Sequence, residues 1–175
     1  MLIYVTGGAR SGKSRYAQEL ANRLAKHVVF VATAFPSDKD IEKRIRRHRR
    51  DRPKQWKTIE NKIDLAEVFS KIDRRTEVVL IDCLTMYVSG RLVEGEKDAK
   101  IYSRVEKLCK AAAASKITTI LVSNEVGSGL VPTTDWGLKF RDYLGRANQI
   151  AAKYADQVVL MVSGLPVPLK GITYG

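Results

Sequence analysis

The sequence predicts an α/β fold in which a mostly parallel sheet is flanked by helices, and three observations predict it. Short apolar runs rich in β-branched residues recur at 2–6, 28–33, 77–82, 118–123 and 158–162, the form of strands covered on both faces. Between them lie segments whose apolar residues repeat at helical spacing. The first run opens into Gly7-Gly-Ala-Arg-Ser-Gly-Lys-Ser14, a Gly-x-x-x-x-Gly-Lys-Ser phosphate loop placed after a strand and before an amphipathic helix, as in P-loop NTPases. Pattern, position and flanking structure agree, which sets aside a turn that matches by chance. At 175 residues, with no internal repeat or linker, residues 1–175 are expected to form one nucleotide-binding catalytic domain.

The loop after the first strand would ring a phosphate with backbone N–H groups at a helix N-terminus. Lys13 would set a point charge on the β/γ oxygens, and the Ser14 hydroxyl would ligate Mg²⁺. Residues 13–26 predict the helix, with Tyr16, Ala17, Leu20, Ala21 and Leu24 at helical spacing. The run at 28–33 completes a βαβ unit, which requires parallel pairing. It ends in Ala32-Thr33-Ala34, at the sheet edge where α/β proteins hold ligands, so Thr33 is either a ligand contact or a strand-end cap.

Residues 38–52 carry the densest charge. Early acids and late bases fit a helix macrodipole. Ile41, Ile45 and His48 share one face, and Arg44, Arg46, Arg47, Arg49, Arg50 and Arg52 surround it. Three readings compete: a solvated charged face, a nucleic-acid patch without the aromatic residues of single-strand binders, and a phosphate-handling histidine. In the last, the cations would lower the imidazole pKa and leave a neutral nucleophile at pH 7. Pro53 closes this helix, and residues 56–60 predict a short extended segment. Its Glu60 either receives a ribose hydroxyl or guanine N–H or pairs with an arginine.

Residues 63–72 predict a helix with Leu65, Val68, Phe69 and Ile72 on one side. Glu77-Val-Val-Leu-Ile-Asp82 has the form of a Walker-B strand whose aspartate would hold Mg²⁺. Cys83-Leu-Thr-Met-Tyr87 is expected to continue from that strand, with a polar connection over 89–98. A helix at 100–115 and a strand at 118–123 follow. In the glycine-bearing loop 124–132, Glu125 either orients substrate or metal or sits in an ordinary turn. A long helix is expected over 135–154, interrupted or kinked near Gly145. Its Arg141 and Arg146 would reach phosphates or a neighbouring subunit, unless Arg141 simply pairs with Asp142. After 158–162, Ser163-Gly-Leu-Pro166 turns the chain, and Pro166 and Pro168 confine residues 167–175 to an edge strand.

No apolar run approaches the length of a membrane span and no signal-peptide pattern precedes the first strand, so the expected location is cytoplasmic. Cys83 and Cys109 read as buried reduced thiols. Two histidines are too few for a histidine-rich metal site. The formal net charge of +12 suits anionic partners: nucleotides, phosphorylated metabolites or nucleic acid. A nucleic-acid-dependent ATPase and a simple metabolite kinase are therefore alternatives on residues alone.

A set of further residues matches a known family over nearly the whole chain. They include Val5-Thr-Gly-Gly-Ala-Arg-Ser-Gly-Lys-Ser-Arg15, Ala32-Thr33, Arg44-Ile45, His48, Arg52-Pro53, Trp56, Glu60 and Asp82-Cys-Leu-Thr85. Ser123-Asn-Glu-Val-Gly127, Val131-Pro132, Phe140-Arg-Asp142, Gly145-Arg146, Asn148-Gln149 and Ser163-Gly164 extend them. The chain closely resembles the bifunctional adenosylcobinamide kinase/adenosylcobinamide-phosphate guanylyltransferases of cobalamin biosynthesis. The resemblance implies phosphorylation of the adenosylcobinamide hydroxyl by ATP or GTP. It further implies transfer of GMP from GTP to a histidine, and from there to adenosylcobinamide phosphate. It identifies His48 as that histidine and Lys13 as its catalytic partner at the phosphates. It assigns the nucleotide to Gly7, Gly8, Ala9, Arg10, Ser11, Gly12, Lys13, Ser14, Ala32, Thr33, Ala34, Arg49, Arg50, Asp51, Arg52, Glu60 and Asp82, and Mg²⁺ to Ser14 and Asp82. Relatives carry Ala-Thr-Ser where this chain ends in Ala34. The family also implies a recombinase-like arrangement of the sheet and a homotrimer.

Overall fold

The structure, a computed structural model, describes residues 1–33, 52–60 and 64–171. Seven strands form one sheet in the order β3-β2-β4-β5-β1-β6-β7. They are β1 (Leu2–Gly7), β2 (Val28–Ala32), β3 (Lys57–Glu60), β4 (Val78–Asp82), β5 (Thr118–Val122), β6 (Gln157–Val162) and β7 (Leu165–Lys170). Every pairing is parallel except that of β6 with β7. β5 therefore separates the phosphate-loop strand from the strand that ends in Asp82.

Successive side chains of a strand point to opposite faces, and both faces are packed here. Ile3 and Val5 join Phe30, Leu80, Ile120 and Trp56 beneath helix α1 (Lys13–Leu24). Leu2 and Tyr4 join Val29, Ile81 and Leu121 on the other face. That face is covered by a 3₁₀ turn (Leu65–Glu67), α2 (Val68–Lys71), α3 (Leu84–Val93), α4 (Asp98–Ala114) and α5 (Asp135–Tyr154). The α/β class expected from the sequence is the observed one, and the extended segment ending at Glu60 is a full sheet member.

Three local expectations are corrected. Residues 83–87 do not prolong β4: α3 starts at Leu84 and occupies the first half of the supposed connection. The reason is burial at helical spacing, since Leu84, Tyr87 and Val88 all face the core. Residues 64–71 form a 3₁₀ turn and one short helix rather than a single longer one, with the Asp64 carboxylate accepting from the Ala66 N–H at 3.2 Å. Helix α5 runs unbroken through Gly145. Glycine costs such a helix about 1 kcal/mol against alanine, and the flanking Leu144, Ala147 and Ala151 are fully buried, which offsets it. The tail strand lies at 165–170, antiparallel and on the edge, where Pro166 and Pro168 are tolerated.

Candidate active site

In-register pairing lines up the ends of the strands. Glu60 pairs with Ala32, Ala32 with Asp82, Asp82 with Val122, and Val122 with Val5. Glu60, Ala32, Asp82 and the loop after β1 thus share the carboxyl edge, where open α/β sheets bind ligands.

The loop owes its shape to glycine at two points. A Cβ on Gly7 would stand 2.6 Å from the Met161 carbonyl oxygen and 2.7 Å from Ser11 Oγ. Gly12 caps α1 at φ 91°, in the left-handed region, with no side chain to satisfy the helix N–H groups. Arg10 also adopts a positive φ, 57°. Gly8, Ala9 and Arg10 are exposed, while Ser11 is buried and its hydroxyl has no hydrogen-bond partner among the described residues. Unsatisfied donors at a helix N-terminus with no acidic residue in the first turn form a cradle that an anionic phosphate fits.

Lys13 is 8% exposed and donates from Nζ to the Gly8 carbonyl at 2.9 Å, so its stem crosses the loop. Burial pulls its ammonium below the ordinary lysine range, and nearby Cys83 and Asp82 push it partly back. Lys13 is thus close enough to Asp82 to feel its charge. The Ser14 hydroxyl, in the first turn of α1, and the Asp82 carboxylate are hard oxygen donors suited to Mg²⁺, which binds few protein ligands and completes its shell with water and phosphate. Among the described residues no group of three or more His, Cys, Asp or Glu side chains could hold a metal by itself.

Thr33 caps the end of its strand. Its buried hydroxyl accepts from the Cys83 N–H at 2.6 Å and donates to the Cys83 carbonyl at 2.7 Å. It thereby ties the end of β2 to the residue after Asp82. Burial, with the Asp82 charge beside it, pushes the Cys83 thiol up to about 12, and burial does the same for Cys109. Both cysteines are free, as the reduced-thiol reading expected. Arg52 lies with its guanidinium 3.5 Å from the centre of the Phe30 ring, on β2.

A polar network beneath this edge has no counterpart in the sequence reading. Ser123 Oγ lies 3.2 Å from Thr85 Oγ1 and donates to Asn148 Oδ1 at 2.7 Å. Thr85 Oγ1 accepts from the Asn124 N–H, and Asn148 Nδ2 donates to the Asn124 carbonyl. One residue further, the Glu125 N–H donates to the Gly7 carbonyl at 2.9 Å. Helices α3 and α5 thereby fix the loop after β5 against the phosphate loop. The available signal was the polar residue at the end of each apolar run, but its partners lie 25 and 38 residues away in the chain.

Glu125 takes the ordinary-turn role: its carboxylate accepts from the N–H groups of Gly127 and Ser128. Burial alone would raise its pKa, but these bonds, with the Ser128 hydroxyl, hold it below the usual carboxylate range. Arg141 pairs with Asp142 at 3.2 Å, and Arg146 donates to Gln149. Ala34, His48, Arg49, Arg50 and Asp51, with the remainder of the basic segment before Arg52, lie outside the described residues.

Residues 3–169 match the family model described as cobinamide kinase / cobinamide phosphate guanyltransferase. The chain is 38% identical over 182 residues to the bifunctional adenosylcobalamin biosynthesis protein CobU of Escherichia coli, covering 97% of this chain and 100% of that protein. It is 36% identical to CobP of Pseudomonas aeruginosa, described in the same terms, with 95% of this chain and 96% of that protein aligned. CobU of Salmonella typhimurium is likewise 36% identical, over 97% of this chain and all of its own length.

Proposed function

The chain belongs to the cobinamide kinase / cobinamide phosphate guanyltransferase family, and from that premise we propose how its residues divide the two reactions. It is a kinase and a nucleotidyltransferase of adenosylcobalamin biosynthesis. The observation that carries the assignment is the phosphate loop itself: an uncapped helix N-terminus, a buried lysine across the loop and an aspartate in register at the same edge.

In the kinase reaction the adenosylcobinamide hydroxyl attacks the γ-phosphorus of ATP or GTP, its proton is lost, and the nucleoside diphosphate leaves. The loop N–H groups and Lys13 hold the phosphates and stabilise the charge that builds on them. In the second reaction a His48 nitrogen attacks the α-phosphorus of GTP, a P–N bond forms, and pyrophosphate leaves. A phosphate oxygen of adenosylcobinamide phosphate then displaces the imidazole, giving adenosylcobinamide-GDP and restoring His48. Arg49, Arg50, Asp51, Arg52 and Glu60 place the GTP, with Ala32, Thr33 and Ala34 beside it. Mg²⁺, held by Ser14 and Asp82, supplies charge neutralisation at the phosphates when bound.

GTP labelled at the α-phosphate is expected to leave acid-labile label on the protein, which added adenosylcobinamide phosphate removes as labelled adenosylcobinamide-GDP. Protein that stays unlabelled under these conditions would refute the covalent route. The anionic partners are nucleotides and the corrinoid phosphate, not nucleic acid, and the single domain works in the cytoplasm. Among the described residues no helix is long and apolar enough to cross a membrane.

The proposed assembly is a homotrimer. An open edge strand with Leu165 and Leu169 at 68% and 60% exposure supports association, because such edges are usually blunted or covered. Sedimentation equilibrium is expected to give three times the 19.6 kDa chain mass. A monomer across the micromolar range would reject the trimer and leave the chemistry untouched.

A further inference from the structure

We infer that the Ser163-Gly164 turn between β6 and β7 is a positioning element of the nucleotide site, which orients the Gly12 N–H of the phosphate loop from behind. The inference rests on the reading above, in that a triphosphate sits on the loop from Gly7 to Ser14.

One hairpin walls both ends of that loop. The sheet register places Met161 beside Gly7, close enough that its carbonyl oxygen would be 2.6 Å from a Cβ there. At the other end, the Gly164 Cα would be 3.3 Å from a Cβ on Gly12. Between these contacts the Gly164 N–H donates to the Ser11 carbonyl at 3.0 Å.

The hydrogen bond has a directional consequence. A peptide unit is planar and trans, so its C=O and N–H point in opposite directions. The Ser11 carbonyl and the Gly12 N–H belong to the same unit. Drawing that carbonyl toward the hairpin turns the Gly12 N–H to the opposite side of the loop. Anion-binding concavities depend on the convergence of successive N–H groups, and here one of them is aimed by a residue near the far end of the chain.

The turn can do this only in an unusual conformation. Ser163 has φ 51° and Gly164 φ 86°, two consecutive left-handed residues. Among the described residues a Cβ built on Gly164 meets nothing within 4 Å, so an alanine there acts chiefly through backbone strain. At the other end of β7, Gly171 also has positive φ, 74°, and its Cβ would meet the Asp156 carbonyl oxygen at 2.5 Å. A Gly171→Ala change therefore strains the same hairpin away from the phosphate loop.

GTP binding measured calorimetrically at 10 °C tests the inference. Gly164→Ala is expected to weaken GTP about tenfold, the scale of one residue's left-handed strain. Gly164→Asn, whose side chain tolerates that region better, is expected to stay within about threefold of the parent. Gly171→Ala is expected to lower Tm yet leave the GTP affinity of the folded protein within about threefold. In ¹⁵N-glycine-labelled protein the Gly12 amide resonance is expected to shift in both Gly164 variants and to hold its position in Gly171→Ala.

A Gly164→Ala protein that binds GTP within twofold of the parent, or a Gly171→Ala protein that loses as much, overturns the inference. If Gly164→Ala does not fold, Gly164→Asn decides, and a GTP affinity weakened about tenfold or more with the Gly12 resonance unmoved is fatal. A parent that fails to bind GTP refutes the nucleotide-site reading instead.

Discussion

Replacing His48 by alanine is expected to abolish guanylyl transfer and leave phosphorylation of adenosylcobinamide standing. Without the imidazole nothing forms the P–N bond, and loss of a covalent nucleophile costs at least about 10⁴-fold in kcat. The kinase reaction uses the γ-phosphorus and a substrate hydroxyl, so it needs the loop and not the imidazole. Acid-labile label from α-labelled GTP is expected to vanish while γ-label continues to appear in adenosylcobinamide phosphate. A His48→Ala protein that labels as well as the parent would remove His48 from the mechanism.

Lys13→Ala is expected to weaken both reactions together, by about 10² to 10³ in kcat, the scale of losing one charged donor aimed at the transition state. A thermal melt of the variant separates this loss from any loss of fold. Burial already lowers the Lys13 pKa in the folded chain, so the unfolded chain holds that proton more tightly. The charged side chain therefore opposes folding near neutrality, and its penalty fades as pH rises. A bound triphosphate favours the charged form, so GTP affinity is expected to fall as pH passes the lowered Lys13 pKa, with proton uptake on binding in that range. Calorimetry in buffers of different ionisation enthalpy measures the uptake, and Lys13→Ala should flatten the dependence. An unchanged pH profile in Lys13→Ala would assign the titration to another group.

Together the two variants separate an anchor common to both reactions from a nucleophile used by one. The strand, loop and helix that frame Gly7 to Ser14 were legible in the sequence because they have local signatures. The spacing from Gly7 to Ser14 needs no long-range information, and the apolar run ending in Asp82 is recognisable once the loop is known. Segments whose conformation is decided by distant packing were less legible. Residues 83–87 read as a continuation of β4, yet Leu84, Tyr87 and Val88 turn one helical face onto the core. Gly145 suggests a break by local propensity, and the packed neighbours Leu144 and Ala147 override it. Thr33 offered two readings because its partner, Cys83, lies 50 residues on. The links among Thr85, Ser123 and Asn148, and between Gly164 and Ser11, bring together segments that no spacing rule connects.

The position of β1 in the sheet has a consequence for biogenesis. Its two neighbours begin their pairing at Thr119 and Gln157, so β1 waits for both. Pairing of such sequence separation is slow because loop closure precedes any gain from contact. The wall that completes the phosphate loop, from Met161 to Gly164, arrives later still. A growing chain therefore completes the phosphate loop's wall only once Gly164 is in place. A nucleotide bound on that loop would stabilise only chains that have closed the sheet, by mass action.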